Sequence, residues 1–150
     1  MLVVDASVAV KWIIDEPRSS EARDLLVAGQ SETGVRETLL APALLPIETH
    51  YAIAKRYGRG EATGDQLLGA IPALIGVFGS FQPLDLELAT EAAALSFAEI
   101  KPVVPGIAQP FGVYDCVYIA LAKRMRAALA TADRRQAEIA KALRVPVRMV

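Results

Sequence analysis

Five oxygen-bearing side chains, Asp5, Glu48, Asp115, Asp133 and Thr131, stand where a fold can gather them. Asp5 ends the short β-branched-rich run Leu2 to Val4, and a helical pattern begins directly behind it. Asp133 follows the small apolar run Ala127 to Ala132, with Thr131 two residues earlier on the same side of the strand. Asp115 opens a helical segment, and Glu48 lies in the first turn of another, just after Pro46. Acids at strand ends and helix starts converge on the carboxyl edge of an open parallel sheet, where functional crevices form. Clustered carboxylates repel one another and their pKa values rise unless a cation neutralises them, so a stable acidic pocket implies a bound ion. Oxygen ligands without Cys or His favour Mg²⁺ or Mn²⁺. The chemistry that follows is hydrolysis of a phosphodiester by activated water, with the cation offsetting charge on the phosphorus oxygens and the leaving group.

Each acid also has an ordinary reading. Asp5 or Ser7 suits a helix N-cap, and a first-turn glutamate such as Glu48 complements the helix dipole. Coincidence of all four at one sheet edge is what favours a site. Lone His50 has no Cys or His at zinc-ligand spacing. Neither a G-x-x-x-x-G-K-[ST] loop nor a G-x-G-x-x-G turn after Val4 is present to cradle phosphates. An aspartyl phosphatase needs a second acid where Ser7 stands.

The elements that position these residues follow from periodicity. Leu2 to Val4 predicts a strand, Ala6 to Ile14 a helix broken by Asp15 to Pro17, and Ser19 to Val27 a second helix. Gly29 to Glu37 is a polar loop, Leu39 to Leu45 a strand interrupted by Pro42, and Pro46 to about Tyr57 a helix. Glu61 to Ile75 predicts a helix kinked or interrupted at Pro72, with Leu67, Leu68, Ile71, Leu74 and Ile75 on one apolar face that fills the core or receives a partner. Phe81 to Leu84 reads as a short strand, Glu87 to Glu99 as a helix, and Lys101 to Gly112 as a proline-rich loop leading to Asp115. Tyr114 to Met125 is helical, Ala127 to Ala132 a buried parallel strand, Arg134 to Leu143 a helix, and Val145 to Val150 a closing strand. Alternating strands and helices predict an α/β fold, a three-layer α/β/α sandwich around a mostly parallel sheet.

Composition narrows the class. A chain of 150 residues is expected to form one domain spanning 1–150 with a substantial core. The 53% hydrophobic fraction is high, yet no run of about 18 uncharged apolar residues is available for a membrane span. Some apolar surface is therefore expected to meet another chain. No secretory signal pattern opens the sequence, which points to the cytoplasm. The single Cys116 forms no internal disulfide and suits core packing. A net charge of −1 excludes a polybasic nucleic-acid binder by composition, so approach of a polyanion rests on local cations: Lys55, Arg56, Arg59, Arg124, Arg126, Arg134 and Arg135.

Four stretches, VVDASVAVKW at Val3 to Trp12, PIETHYAIAKR at Pro46 to Arg56, YDCVYIALAKR at Tyr114 to Arg124 and TADRR at Thr131 to Arg135, together resemble the PIN-domain ribonucleases. More specifically, the chain resembles VapC-type toxins of type II toxin–antitoxin pairs, over nearly its whole length and in the family's order. The resemblance implies that Asp5, Glu48, Asp115 and Asp133 are the acidic quartet that holds Mg²⁺ or Mn²⁺, Asp5 and Asp115 foremost, with Thr131 the hydroxyl beside it. It implies metal-dependent cleavage of RNA, often a structured tRNA or rRNA, inhibition by a cognate antitoxin protein, and a homodimer; no membrane partner is expected, because the sequence lacks a spanning run. The loops Gly29 to Glu37 and Lys101 to Gly112 are longer than the family's pattern and bear on substrate choice and the antitoxin groove. Two alternatives remain beside this reading: a catalytically silent PIN-like module that engages a partner helix through its apolar face, and a nuclease acting on DNA flaps.

Overall fold

A computed structural model describes residues 1–27, 37–96 and 112–150 of the chain. Four strands, β1 (Leu2–Val4), β2 (Leu39–Leu40), β3 (Ala128–Thr131) and β4 (Val147–Met149), form one sheet in the order β2-β1-β3-β4, and every pairing is parallel. Around it, among the described residues, run seven α-helices: α1 (Ala6–Ile13), α2 (Ser19–Val27), α3 (Leu45–Tyr57), α4 (Gly64–Phe78), α5 (Leu86–Ala94), α6 (Val113–Met125) and α7 (Arg134–Ala142).

Side-chain alternation along β1 and β3 divides the core into two faces. Val3 and Leu129 join the cluster built on α5, α6 and α7, whereas Leu2, Val4 and Ala130 pack with Val8, Ala22 and Leu25 of α1 and α2. Both sheet faces are thus covered, as the continuous apolar runs of a parallel sheet require. Helix α6 is buried without a break from Cys116 to Ala122, which explains why its sequence shows no clean polar face. Burial pushes the Cys116 thiol up to about 12, consistent with a packing role. No helix among the described residues is long and apolar enough to cross a membrane.

Register fixes where the strands end. Val4 pairs with Ala130, and the Asp5 N–H donates to Ala130 O at 3.2 Å, so Asp5 leaves the sheet beside Thr131. Three expectations are corrected. Strands do not alternate with helices throughout, because α3 to α6 follow one another between β2 and β3. The Phe81 to Leu84 segment is no strand: only Gln82 pairs, in an isolated bridge with Pro42. Pro72 does not interrupt α4, which starts at a capping box between Thr63 and Gln66 and runs through to Phe78. Proline removes one helical N–H but the preceding turns persist when the face beneath them packs, here through Ala70 and Leu74. The predicted apolar face of α4 also divides, since Leu68 is 77% and Ile75 51% exposed. The Gly29 to Glu37 loop, apart from Glu37, the end of the predicted Glu87 to Glu99 helix and the proline-rich approach to Gly112 fall outside the described residues.

Candidate active site

Asp5, Glu48, Asp115 and Asp133 line one cavity of about 220 Å³, together with Ser7, Tyr51 and Tyr118. Asp5 caps α1 and also lines this cavity, so its capping role does not remove it from the candidate site. Its Oδ1 accepts from the Val8 N–H at 3.0 Å and the Ser7 hydroxyl at 2.7 Å, and its Oδ2 accepts from the Thr131 hydroxyl at 2.6 Å. A carboxylate offers about four lone-pair sites, and these three donors leave room for one further contact, at Oδ2. Asp5 is only 4% exposed, and burial raises its pKa to about 6 against the pull of those three donors, with Asp133 adding repulsion.

Thr131, fully buried at the end of β3, links two acids. While donating to Asp5 it accepts the Asp133 N–H at 2.9 Å. Ser7 mirrors it by accepting the Ala132 N–H at 2.8 Å, which ties the start of α1 to the loop after β3. Asp133 is exposed and caps α7, its Oδ1 accepting from the Arg135 and Gln136 N–H groups at 2.7 and 3.2 Å. Glu48, half-buried in the first turn of α3, accepts a short hydrogen bond from the Tyr118 hydroxyl. Burial raises the Glu48 pKa and nearby Asp115 adds to the rise, while the Tyr118 bond opposes it. Burial likewise raises Asp115, reinforced by Asp133 and opposed by the Arg135 guanidinium. The Tyr118 phenol is held well above its usual range by burial and by the surrounding carboxylates, so it remains a donor.

Asp115 sits in the first turn of α6, after Gly112. A side chain at position 112 would place its Cβ 2.8 Å from Asp115 Oδ2, so glycine keeps that carboxylate in place. From the other side, the Gln136 amide donates to the Asp115 carbonyl at 3.1 Å and joins α7 to α6. Among the described residues no group of three or more His, Cys, Asp or Glu is drawn together tightly enough to hold a metal ion directly. A hard cation that retains its waters requires only one or two carboxylates. Carboxylates raised by burial and by mutual repulsion, with oxygen as the ligand atom throughout, fit such a cation.

The sequence assigns Tyr118 to the apolar face of its helix and Ser7 to a cap; the structure gives both a further role at the acids. The spacing of Tyr118 three residues after Asp115 was the available signal, because positions i and i+3 share a helix face. Several cations expected to meet substrate are engaged elsewhere. Arg56 pairs with Glu16 at 2.7 Å, Arg59 with Glu61 at 2.7 Å, and Arg124 with Asp85, Glu87 and Glu91. Lys55 lies 4.4 Å over the ring of Tyr51, beside the cavity.

The PIN-domain family model matches residues 2–142. This chain belongs to the PIN-domain family. No curated protein sequence matches it. Among solved structures, this PIN chain is similar to Mycobacterium tuberculosis VapC20, a Sarcin-Ricin loop cleaving toxin, at 14% identity and a TM-score of 0.65, covering 92% of this chain and 94% of that one. It is also similar to a chain of FitAcB from Neisseria gonorrhoeae, at 20% identity and a TM-score of 0.61, covering 98% and 96%. A chain of Rickettsia felis VapBC2, bound to a DNA fragment from their promoter, matches at 11% identity and a TM-score of 0.66, covering 99% and 98%. At these identities the likeness is one of fold.

Proposed function

We propose that this PIN-domain protein is a divalent-metal-dependent endoribonuclease, the toxin of a VapC-type toxin–antitoxin pair. The observation that carries the proposal is the convergence of Asp5, Glu48, Asp115 and Asp133 on one cavity at the carboxyl edge of the sheet. Burial of Asp5, with a small addition from Asp133, raises its pKa, a cost that a fold built only for binding has no reason to carry. Mg²⁺ or Mn²⁺, when bound here, supplies a water of lowered pKa and offsets charge on the phosphodiester oxygens.

The chain's own residues fix the arrangement. Ser7, Thr131 and the Val8 N–H hold Asp5 in one orientation and leave Oδ2 able to accept a further contact. Tyr118 holds Glu48 by one oxygen, and Gly112 leaves space for the Asp115 carboxylate. Asp5 and Asp115 are assigned as the principal metal ligands, with Glu48 and Asp133 completing the acidic set through the ion or its waters. Arg135, close enough to lower the Asp115 pKa, and Lys55 beside Tyr51 supply positive charge at the cavity mouth for a phosphate backbone.

A structured RNA is the assigned substrate class, supported by the naming of one structural neighbour as a Sarcin-Ricin loop cleaving toxin. Exposed Ile47, Tyr51, Leu68 and Ile75 support contact with an antitoxin protein and with a second copy of the chain in a homodimer, acting in the cytoplasm. Calorimetric titration of Mn²⁺ into the wild-type, Asp5→Asn and Asp115→Asn proteins tests the reading. Saturable binding in the wild type, lost in both variants while their circular dichroism spectra are retained, is expected. Equal binding in all three would remove these acids from the metal site.

A further inference from the structure

At the opposite end of α6 lies a second cavity, of about 380 Å³, lined by Lys123, Arg126, Ala127, Arg144, Val145 and Pro146 among others. It opens at the starts of β3 and β4, the sheet edge away from the acids. Two identical turns build it. After α6, the Ala127 N–H donates to Ala122 O at 2.9 Å and the Arg126 N–H to Lys123 O at 3.1 Å. After α7, the Val145 N–H donates to Ala140 O at 2.8 Å and the Arg144 N–H to Lys141 O at 2.9 Å. Both are Schellman caps, with the residue after the helix in the left-handed region, at φ 50° for Arg126 and 61° for Arg144, and a buried apolar residue, Ala127 or Val145, next.

Glycine is the ordinary occupant of that left-handed position because any Cβ is disfavoured there. This chain places arginine at both. Neither guanidinium is needed for capping, since main-chain N–H groups already satisfy the helix carbonyls. Most other described arginines have side-chain partners: Arg18, Arg23, Arg56, Arg59, Arg124 and Arg148 form ion pairs. Arg126 and Arg144 have none among the described residues, both are exposed, and no carboxylate is among the described residues lining their cavity.

We propose that this cavity is a phosphodiester-binding site, in which Arg126 and Arg144 hold the backbone of the same RNA strand that enters the acidic cavity. The identity of the polyanion rests on the nuclease reading above; the anion site itself rests on the paired arginines. Helix α6 carries Asp115 in its first turn and Arg126 just past its end, a separation of about 16 Å at about 1.5 Å per residue. Exposed arginines hold an isolated phosphate weakly, but a strand already seated at the acids presents its phosphates at high effective concentration. A polynucleotide therefore suits this site better than a small anion.

The test is fluorescence anisotropy of a labelled 2′-O-methyl oligoribonucleotide, which is not cleaved, across a salt series, with inorganic phosphate as a separate arm followed by NMR. The wild type is compared with Arg126→Gly/Arg144→Gly and Arg126→Gln/Arg144→Gln. The glycine pair suits the left-handed backbone, so its melting temperature is expected to hold or rise, separating loss of charge from loss of fold. Two lost single-strand contacts lower the slope of log K against log salt by about 1.4, which at 0.1 M salt weakens binding about 25-fold relative to 1 M. Unchanged slope and affinity in both variants would overturn the proposal, as would shifts at Arg126 and Arg144 with inorganic phosphate but none with the oligonucleotide. Failure of the nuclease reading appears separately, as RNA cleavage that survives Asp5→Asn.

Discussion

Replacing Thr131 with valine isolates the hydroxyl that joins two acids of the site. Valine matches the shape of threonine, so little cavity is created, and the change is mainly the loss of one oxygen at a fully buried position. That oxygen donates to Asp5 Oδ2 at 2.6 Å and accepts the Asp133 N–H at 2.9 Å. A hydrogen bond to a charged group contributes about 1.5–3 kcal/mol, and an orphaned, partly buried N–H costs about 1–3 kcal/mol. Relaxation of the exposed Asp133 turn recovers part of the second loss, so destabilisation of about 3 kcal/mol is expected near pH 8, where Asp5 is ionised. The Thr131 bond also holds the Asp5 pKa down, so its removal moves that pKa further above about 6. Urea unfolding of both proteins in chelator gives the stability change, and carboxyl NMR gives the pKa. A difference below about 0.5 kcal/mol, or an Asp5 pKa unmoved or lowered, would refute the assignment of Thr131 as the donor that secures Asp5.

Three further outcomes follow from the same geometry. Asp5 moves from an ordinary value of 3.8 to about 6 on folding, so between these values the folded state binds the proton more tightly and stability falls as pH rises; at about 1.36 kcal/mol per pH unit the fall is roughly 3 kcal/mol. Glu48 and Asp115, raised as well, act in the same direction, whereas Glu61 and Asp85, lowered by their arginine and backbone partners, oppose it. The Asp5 share is therefore read as the difference between wild type and Asp5→Asn in urea titrations in chelator; a wild-type stability that rose relative to Asp5→Asn from about pH 4 to about pH 6 would contradict this. Tyr118→Phe removes the donor to Glu48, raises the Glu48 pKa further, and weakens Mn²⁺ binding about 10- to 100-fold, read by calorimetry. Gly112→Ala brings a Cβ within 2.8 Å of Asp115 Oδ2 and displaces that carboxylate; loss of RNA cleavage with an unchanged melting temperature is expected.

The acids were legible because each ends or begins an element that the sequence marks clearly. Asp5 and Asp133 follow apolar runs too short for helices, and Glu48 and Asp115 stand in first turns, so the parallel sheet gathers all four at one edge. Partnership across the fold was less visible. Tyr118 reads as core from periodicity, and only the tertiary fold brings its hydroxyl to Glu48 of α3. Ion pairs such as Arg124 with Asp85 join residues far apart in sequence, so clustered cations looked available when several were engaged. The false strand at Phe81 to Leu84 has the right residues but gains a single bridge, because the neighbouring sheet edge at β2 is only two residues long. The paired arginine turns were hidden for a different reason: positive φ is a property of the backbone, and arginine gives no hint of it.

Incubating the purified protein, free of any antitoxin, with total RNA in Mg²⁺ or Mn²⁺, beside chelator and Asp5→Asn controls, and sequencing the fragment ends tests the nuclease assignment. Defined ends that disappear in both controls are expected. Ends that persist with Asp5→Asn, or a folded, metal-binding wild type that leaves every RNA intact, would contradict it.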